Sequence, residues 1–190
     1  MKEKNLKKLL LIFSIFIVPI HTILLASNAS WLKVSLSVVG YELDRQTSFV
    51  IWGVVTGFLF LVYLNLIYKT TRFENRALKR LNFIAFILMV FAVTTPYLPE
   101  LFPLKAFLHI VFAVLSPVCM IISLGIFIFT YMRKEKRIFH KMVRGYLFII
   151  ITSTLILCLS GIVNSLLEVF FTISMCIFFP LLCKWLDELD

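Results

Sequence analysis

Residues 49–68 read FVIWGVVTGFLFLVYLNLIY, and residues 69–80 that follow read KTTRFENRALKR. The first twenty positions contain no Asp, Glu, Lys or Arg, whereas the next twelve hold five basic residues, Lys69, Arg72, Arg76, Lys79 and Arg80. Twenty helical residues cover about 30 Å, the depth of bilayer hydrocarbon. A charged group at mid-bilayer costs several kcal/mol, so charge collects where such a segment ends. The pair of stretches therefore reads as one transmembrane helix and the basic link at its exit.

The same reading extends outward in both directions. Further apolar runs lie at 9–26, 81–97, 106–132, 145–163 and 169–185, and the interior of each is free of Asp, Glu, Lys and Arg. The composition agrees: 61% of the 190 residues are hydrophobic, against roughly 45–50% in soluble domains, and mean hydropathy is +1.00. The expected fold is all-α, a single integral membrane domain over 1–190 with six transmembrane helices.

Orientation follows from the Lys and Arg of short links, because basic residues near a span end resist translocation. Sixteen lie on one side: Lys2, Lys4, Lys7 and Lys8, the five of 69–80, six between Arg133 and Arg144, and Lys184. Only Lys33, Arg45 and Lys105 fall on the other. Both termini are therefore expected in the cytoplasm, and the chain in a bacterial cytoplasmic cell membrane. The net charge of +9 is absorbed by these juxtamembrane links and by anionic lipid headgroups, so no nucleic acid partner is expected. The first run resembles a signal peptide, with small residues Ala26, Ser27, Asn28 and Ala29 after it. It is longer than a usual signal core, and its loss would leave five spans, so it is read as a retained helix.

The longest link, 27–48, lies on the outer side and carries Trp31, Tyr41 and the apolar run 34–39, which places it on or dipping into the interface. The triplet Asn28-Ala29-Ser30 fits a glycosylation acceptor that a bacterial chain would not use. Cys119, Cys158, Cys176 and Cys183 all lie within spans and lack redox or zinc spacing. They read as structural.

Inside lipid, close backbone approach replaces the hydrophobic effect as the driving force for packing. Gly53 and Gly57 form a G-x-x-x-G pair on the second span. On the fifth, Ser153, Ser160 and Asn164 repeat beside a seam of Thr154, Cys158, Gly161 and Ser165. Both helices are expected at the centre of the bundle.

The intramembrane histidines are the first candidates for a site. His21 follows Pro19, whose ring should kink the first span and free the carbonyl of Ile15. His109 begins a seam of Ala113, Ser116, Met120 and Ser123 that Pro117 interrupts. Topology places both in the outer third of the bilayer, able to face each other. Asn164 and Glu168 lie at a similar depth. Buried polar groups in lipid need partners, so His21, His109, Asn164 and Glu168 are read as one outward-facing polar pocket that contacts lipid or a small apolar ligand. Two histidines on different helices suit axial haem ligation, and zinc hydrolysis would need Glu168 as third ligand. Neither is adopted, and no metal or cofactor is expected. The chain carries no G-x-S-x-G, H-E-x-x-H or phosphate-binding glycine loop, and no intramembrane carboxylate pair for ion coupling.

Ser35-Leu36-Ser37-Val38-Val39-Gly40-Tyr41-Glu42, then Phe49-x-x-x-Gly53-x-x-x-Gly57 and His109-x-x-x-Ala113, resemble motifs of bacterial six-helix proteins related to the damage-regulated autophagy modulators. The resemblance covers most of the chain and implies a lipid-facing role without a defined reaction. The segment 161–168 fits that family's last hairpin loosely. Three readings of function result. The first is a non-enzymatic membrane protein whose polar pocket contacts lipid. The second is a membrane subunit of a multiprotein stress or phage-defence complex, docking a soluble partner through its basic loops at 69–80 and 133–144. The third is an intramembrane enzyme using His21, His109 and Glu168.

Overall fold

The structure is a computed structural model that describes residues 2–27, 30–42, 44–131 and 136–188, with side chains for all of these except 2–4, 131, 136 and 137. The Asn28-Ala29-Ser30 triplet and the basic residues Arg133 and Lys134 lie wholly or partly outside the described residues. No strand occurs among the described residues. The helices are α1 (Lys2–Ile12), continued through a π-turn at Phe13–Ile17 into α2 (Val18–Ala26), then α3 (Leu36–Tyr41), α4 (Gln46–Thr70), α5 (Arg76–Thr94), α6 (Pro103–Tyr131), α7 (Lys136–Ser160) and α8 (Ser165–Asp187). Among the described residues six helical segments are long and apolar enough to cross a membrane, Asn5–Ala26, Gln46–Thr70, Arg76–Thr94, Pro103–Thr130, Ile138–Ser160 and Ser165–Asp187. The chain is a multi-pass membrane protein.

Helix ends depart from the apolar runs for local reasons. α5 stops at Thr94 because Thr95 precedes Pro96 and is extended, with ψ 123°; the proline ring disfavours helical backbone in the residue before it. α6 begins with Pro103, where a missing N–H costs nothing. α7 ends at Ser160 since Gly161 turns left-handed, at φ +69°, and its N–H returns to the carbonyl of Leu157 at 2.9 Å. Gly161 serves this turn; a Cβ there would meet nothing within 4 Å.

α4 is the spine of the bundle. Of its most apolar 18-residue stretch 56% is buried, against 17% for α7. Gly53 and Gly57 seat α4 on α5: a Cβ on Gly53 would overlap Val93, and one on Gly57 would come within 3.2 Å of Met89 and Phe86. The expectation of a central fifth span is corrected. Thr154, Cys158 and Gly161 are exposed, and the Ser160 hydroxyl lies 2.8 Å from the carbonyl of Ile156 in its own helix. Lipid solvates apolar side chains as well as a neighbouring helix does, so the small-residue seam of α7 did not need a partner.

Two apolar clusters fill the bundle. The larger, toward the basic end, joins Tyr63 of α4, stacked on Phe179 of α8 at 5.4 Å and 6°, to Phe127 of α6 and Met142 of α7. The Tyr68 hydroxyl and Ser123 Oγ pair inside it at 2.9 Å. The smaller, at the opposite end, gathers Leu25, Leu36, Val39, Phe49, Trp52, Val93 and Val169. α3 sits within it, and Leu36 and Val39 are fully buried. The link that carries α3 is thus tucked between helices, although Trp31 and Leu32 stay exposed.

The first crossing keeps its alignment through the π-turn that precedes Pro19. The Ser14 and Tyr63 hydroxyls lie 2.9 Å apart, and Trp52 Nε1 donates to Thr22 Oγ1 at 2.8 Å. Both partners belong to α4. Eight regular α-helical residues separate Ser14 from Thr22 and would rotate them about 80° apart at 3.6 residues per turn. The wider turn, closed by the Val18 N–H on the Phe13 carbonyl, absorbs one residue and brings both back onto one face. At the basic end, Lys7 Nζ meets Asp187 Oδ1 at 2.7 Å, so α1 and α8 have their terminal ends side by side.

Candidate functional site

The turn from α7 into α8 organises the end of the bundle away from the basic links. Asn164 caps α8, its Oδ1 accepting from the Leu167 N–H at 3.0 Å, while its Nδ2 donates to the Leu32 carbonyl at 3.3 Å. The Ser165 hydroxyl and N–H both donate to the Val34 carbonyl, at 2.7 Å each. Glu168, one turn further, accepts from the Leu36 N–H at 2.6 Å. Ser35 caps the same short helix by accepting from the Val38 N–H at 3.4 Å. Residues 30–42 are therefore bolted onto α8 through backbone groups that lipid would otherwise leave unsatisfied. Tyr41 fastens the other side, donating to the Val93 carbonyl at 2.6 Å. Burial pushes its phenol above the usual range.

His109 of α6 is buried beside this lid. Its Nδ1 lies 3.0 Å from the Thr95 carbonyl, which can only accept, so Nδ1 carries a proton and donates it. Tyr97 at 5.3 Å, and Phe49 and Tyr41 at 6.3 Å between ring centroids, enclose it. His21 goes elsewhere: its Nε2 pairs with Ser48 Oγ at 2.9 Å. The two imidazoles do not share a partner.

Two cavities meet between α6 and α8. A cleft of about 560 Å³ runs between α6 and α7 beneath residues 33–38. Those two helices touch only sparsely although they are consecutive. Its walls include Ile110, Val114 and Val118 of α6 and Leu157 of α7, all exposed on the bundle surface, so it opens sideways toward the bilayer. A smaller recess of about 110 Å³ lies deeper among α4, α5, α6 and α8. His109, Ala113, Pro117, Glu168 and Phe171 line both and form the neck. Pro117 leaves the Ala113 carbonyl without its helical donor at this level.

The recess is polar in an unusual way. Thr56 and Asn82 line it, are 1% and 2% exposed, and their side-chain oxygens and nitrogen make no hydrogen bond. Tyr68 lies near Asn82 without reaching bonding geometry. Ser116 is satisfied by the Ala85 carbonyl at 2.8 Å. Of the four residues singled out from sequence, the structure brings His109 and Glu168 together at the neck, whereas Asn164 acts as a cap and His21 lines neither cavity. Lys33, Thr56 and Asn82 were not anticipated. Asn82 carried a signal, an amide inside an apolar run, that sequence reading passed over.

Among the described residues no three His, Cys, Asp or Glu side chains converge as metal ligands, and His21 Nε2 is paired with Ser48 instead of facing His109 and Glu168. The four cysteines are free thiols, with Cys176 buried and Cys158 exposed. What the arrangement can do is hold an elongated apolar molecule with a polar end at the neck. No family model matches the chain, no curated protein or solved structure is similar to it, and the likeness to the autophagy-modulator relatives rests on the short motifs alone.

Proposed function

We propose that this protein is a non-enzymatic lipid-binding protein of a bacterial cytoplasmic membrane, with both termini inside the cell and its binding cleft in the outer leaflet. The observation that carries this reading is the cleft of about 560 Å³ between α6 and α7. Its walls are apolar and laterally open, and Glu168 and His109 stand at its inner end. A soluble protein would fill or cover such a groove; in a bilayer a chain of hydrocarbon fills it. The sixteen-to-three distribution of basic residues supports the orientation.

Ala113 lines both cavities at the neck, so Ala113→Phe should block the cleft. Native mass spectrometry of the full chain released from a mild detergent is expected to show one retained lipid in the wild type and none in the variant, at an unchanged thermal midpoint. Equal lipid retention by both chains would defeat the reading. A periplasmic reporter fused to either terminus should stay inactive, and activity at either end would reverse the orientation.

A further inference from the structure

The charges that line the cleft name its occupant more narrowly. Among the cleft residues only Lys33 and Glu168 carry formal charge, of opposite sign. Among the described residues they do not pair with each other, and neither finds another ionic partner. One oxygen of Glu168 accepts from the Leu36 N–H, and the other accepts from no group among the described residues. Lys33 is exposed at the lid and contributes only its backbone N–H, to the Ser30 carbonyl. A carboxylate set within the membrane without a cation is costly and marks a place where a ligand supplies the partner.

We infer that the cleft takes a zwitterionic amphiphile, an aminoalkyl phosphate lipid whose ammonium group meets Glu168 and whose phosphate meets Lys33, with one acyl chain lying along α6 and α7. This rests on the lipid-binding reading above. The headgroup carries both charges in the order the cleft offers them: the cation deeper, the anion at the lid. Tyr97 and His109, which also line the cleft, place aromatic rings beside the ammonium, an arrangement that favours a cation over a neutral group. An anionic phospholipid without the amine brings negative charge toward Glu168. A neutral lipid leaves both protein charges unanswered. The site thus selects by repulsion as well as attraction.

The test uses the purified full chain, delipidated in mild detergent, with phosphatidylethanolamine, its N-acetylated derivative and phosphatidylglycerol as probes. Native mass spectrometry reads the bound fraction of each. The wild type is expected to hold phosphatidylethanolamine about tenfold more tightly than the other two, a factor equal to ~1.4 kcal/mol. Glu168→Gln keeps an acceptor for the Leu36 N–H and should bring phosphatidylethanolamine down to the N-acetylated lipid. Lys33→Gln should weaken both phosphatidylethanolamine and its N-acetylated derivative. The comparison of lipids on the wild-type chain does not depend on either variant folding. Equal binding of all three lipids, abolished by Ala113→Phe, would overturn the zwitterion inference and leave the lipid cleft standing. Preference for phosphatidylglycerol would overturn it in favour of a simple anion site at Lys33. Absence of binding by any lipid would remove the inference and the lipid reading together.

Discussion

α4 and α7 have nearly the same mean hydropathy over their most apolar stretches, 2.2 and 2.0, yet 56% of one stretch is buried and 17% of the other. The difference lies in what each helix offers at close range. α4 presents Gly53 and Gly57 to α5 and makes hydrogen bonds or stacking contacts with three other helices, Trp52 donating to Thr22, Tyr63 stacking on Phe179 and Tyr68 pairing with Ser123. α7 turns its hydroxyls onto its own backbone or leaves them facing the cleft. In a bilayer, hydropathy decides that a helix crosses, and shape with polar pairing decides where it sits.

Four substitutions test that contrast. Gly53→Leu forces a side chain into Val93 and should cost roughly 1–3 kcal/mol, read as a lower thermal midpoint in detergent. Trp52→Phe keeps the ring stacked at 5.8 Å on Phe49 but removes the donor to Thr22, and should cost ~1 kcal/mol by the same measurement. Asp187→Asn cuts the exposed pair with Lys7. A loss of ~0.2–1 kcal/mol that shrinks as salt rises is expected. Leu159→Ala, on the most exposed part of α7, should change stability by less than ~0.5 kcal/mol. If Leu159→Ala proved as damaging as Gly53→Leu, α7 would be packed against a partner such as a second copy, and the peripheral assignment would fail.

The six crossings and the Gly53–Gly57 contact were legible because each rests on a local property, a run of apolar residues or a pair of missing side chains. The peripheral place of α7 was not legible, since its serines and threonines have the spacing of a packing seam, yet Ser160 bonds its own backbone and Ser153 and Thr154 face the cleft. The lid over the cleft was also hidden. Its six-residue helix α3 is held by Glu168, 132 positions away in the chain, and no local pattern foretells such a bond. Glu168 and His109 could be singled out because ionisable groups in lipid are rare. Their separation from His21 could not, because Ser48, the partner His21 finds, looks in sequence like an ordinary polar residue at a helix start.

The π-turn at Phe13–Ile17 means that the first crossing holds one spare residue. Deleting a single amino acid there would let the strand of peptide relax to an ordinary coil pitch while Ser14 and Thr22 still point at α4. The same excision in the middle of α4 would swing half of its side chains away from their neighbours. Tolerance to shortening should therefore be concentrated in three positions of this chain, Ile15, Phe16 and Ile17, which lie within the π-turn and between the two contacts.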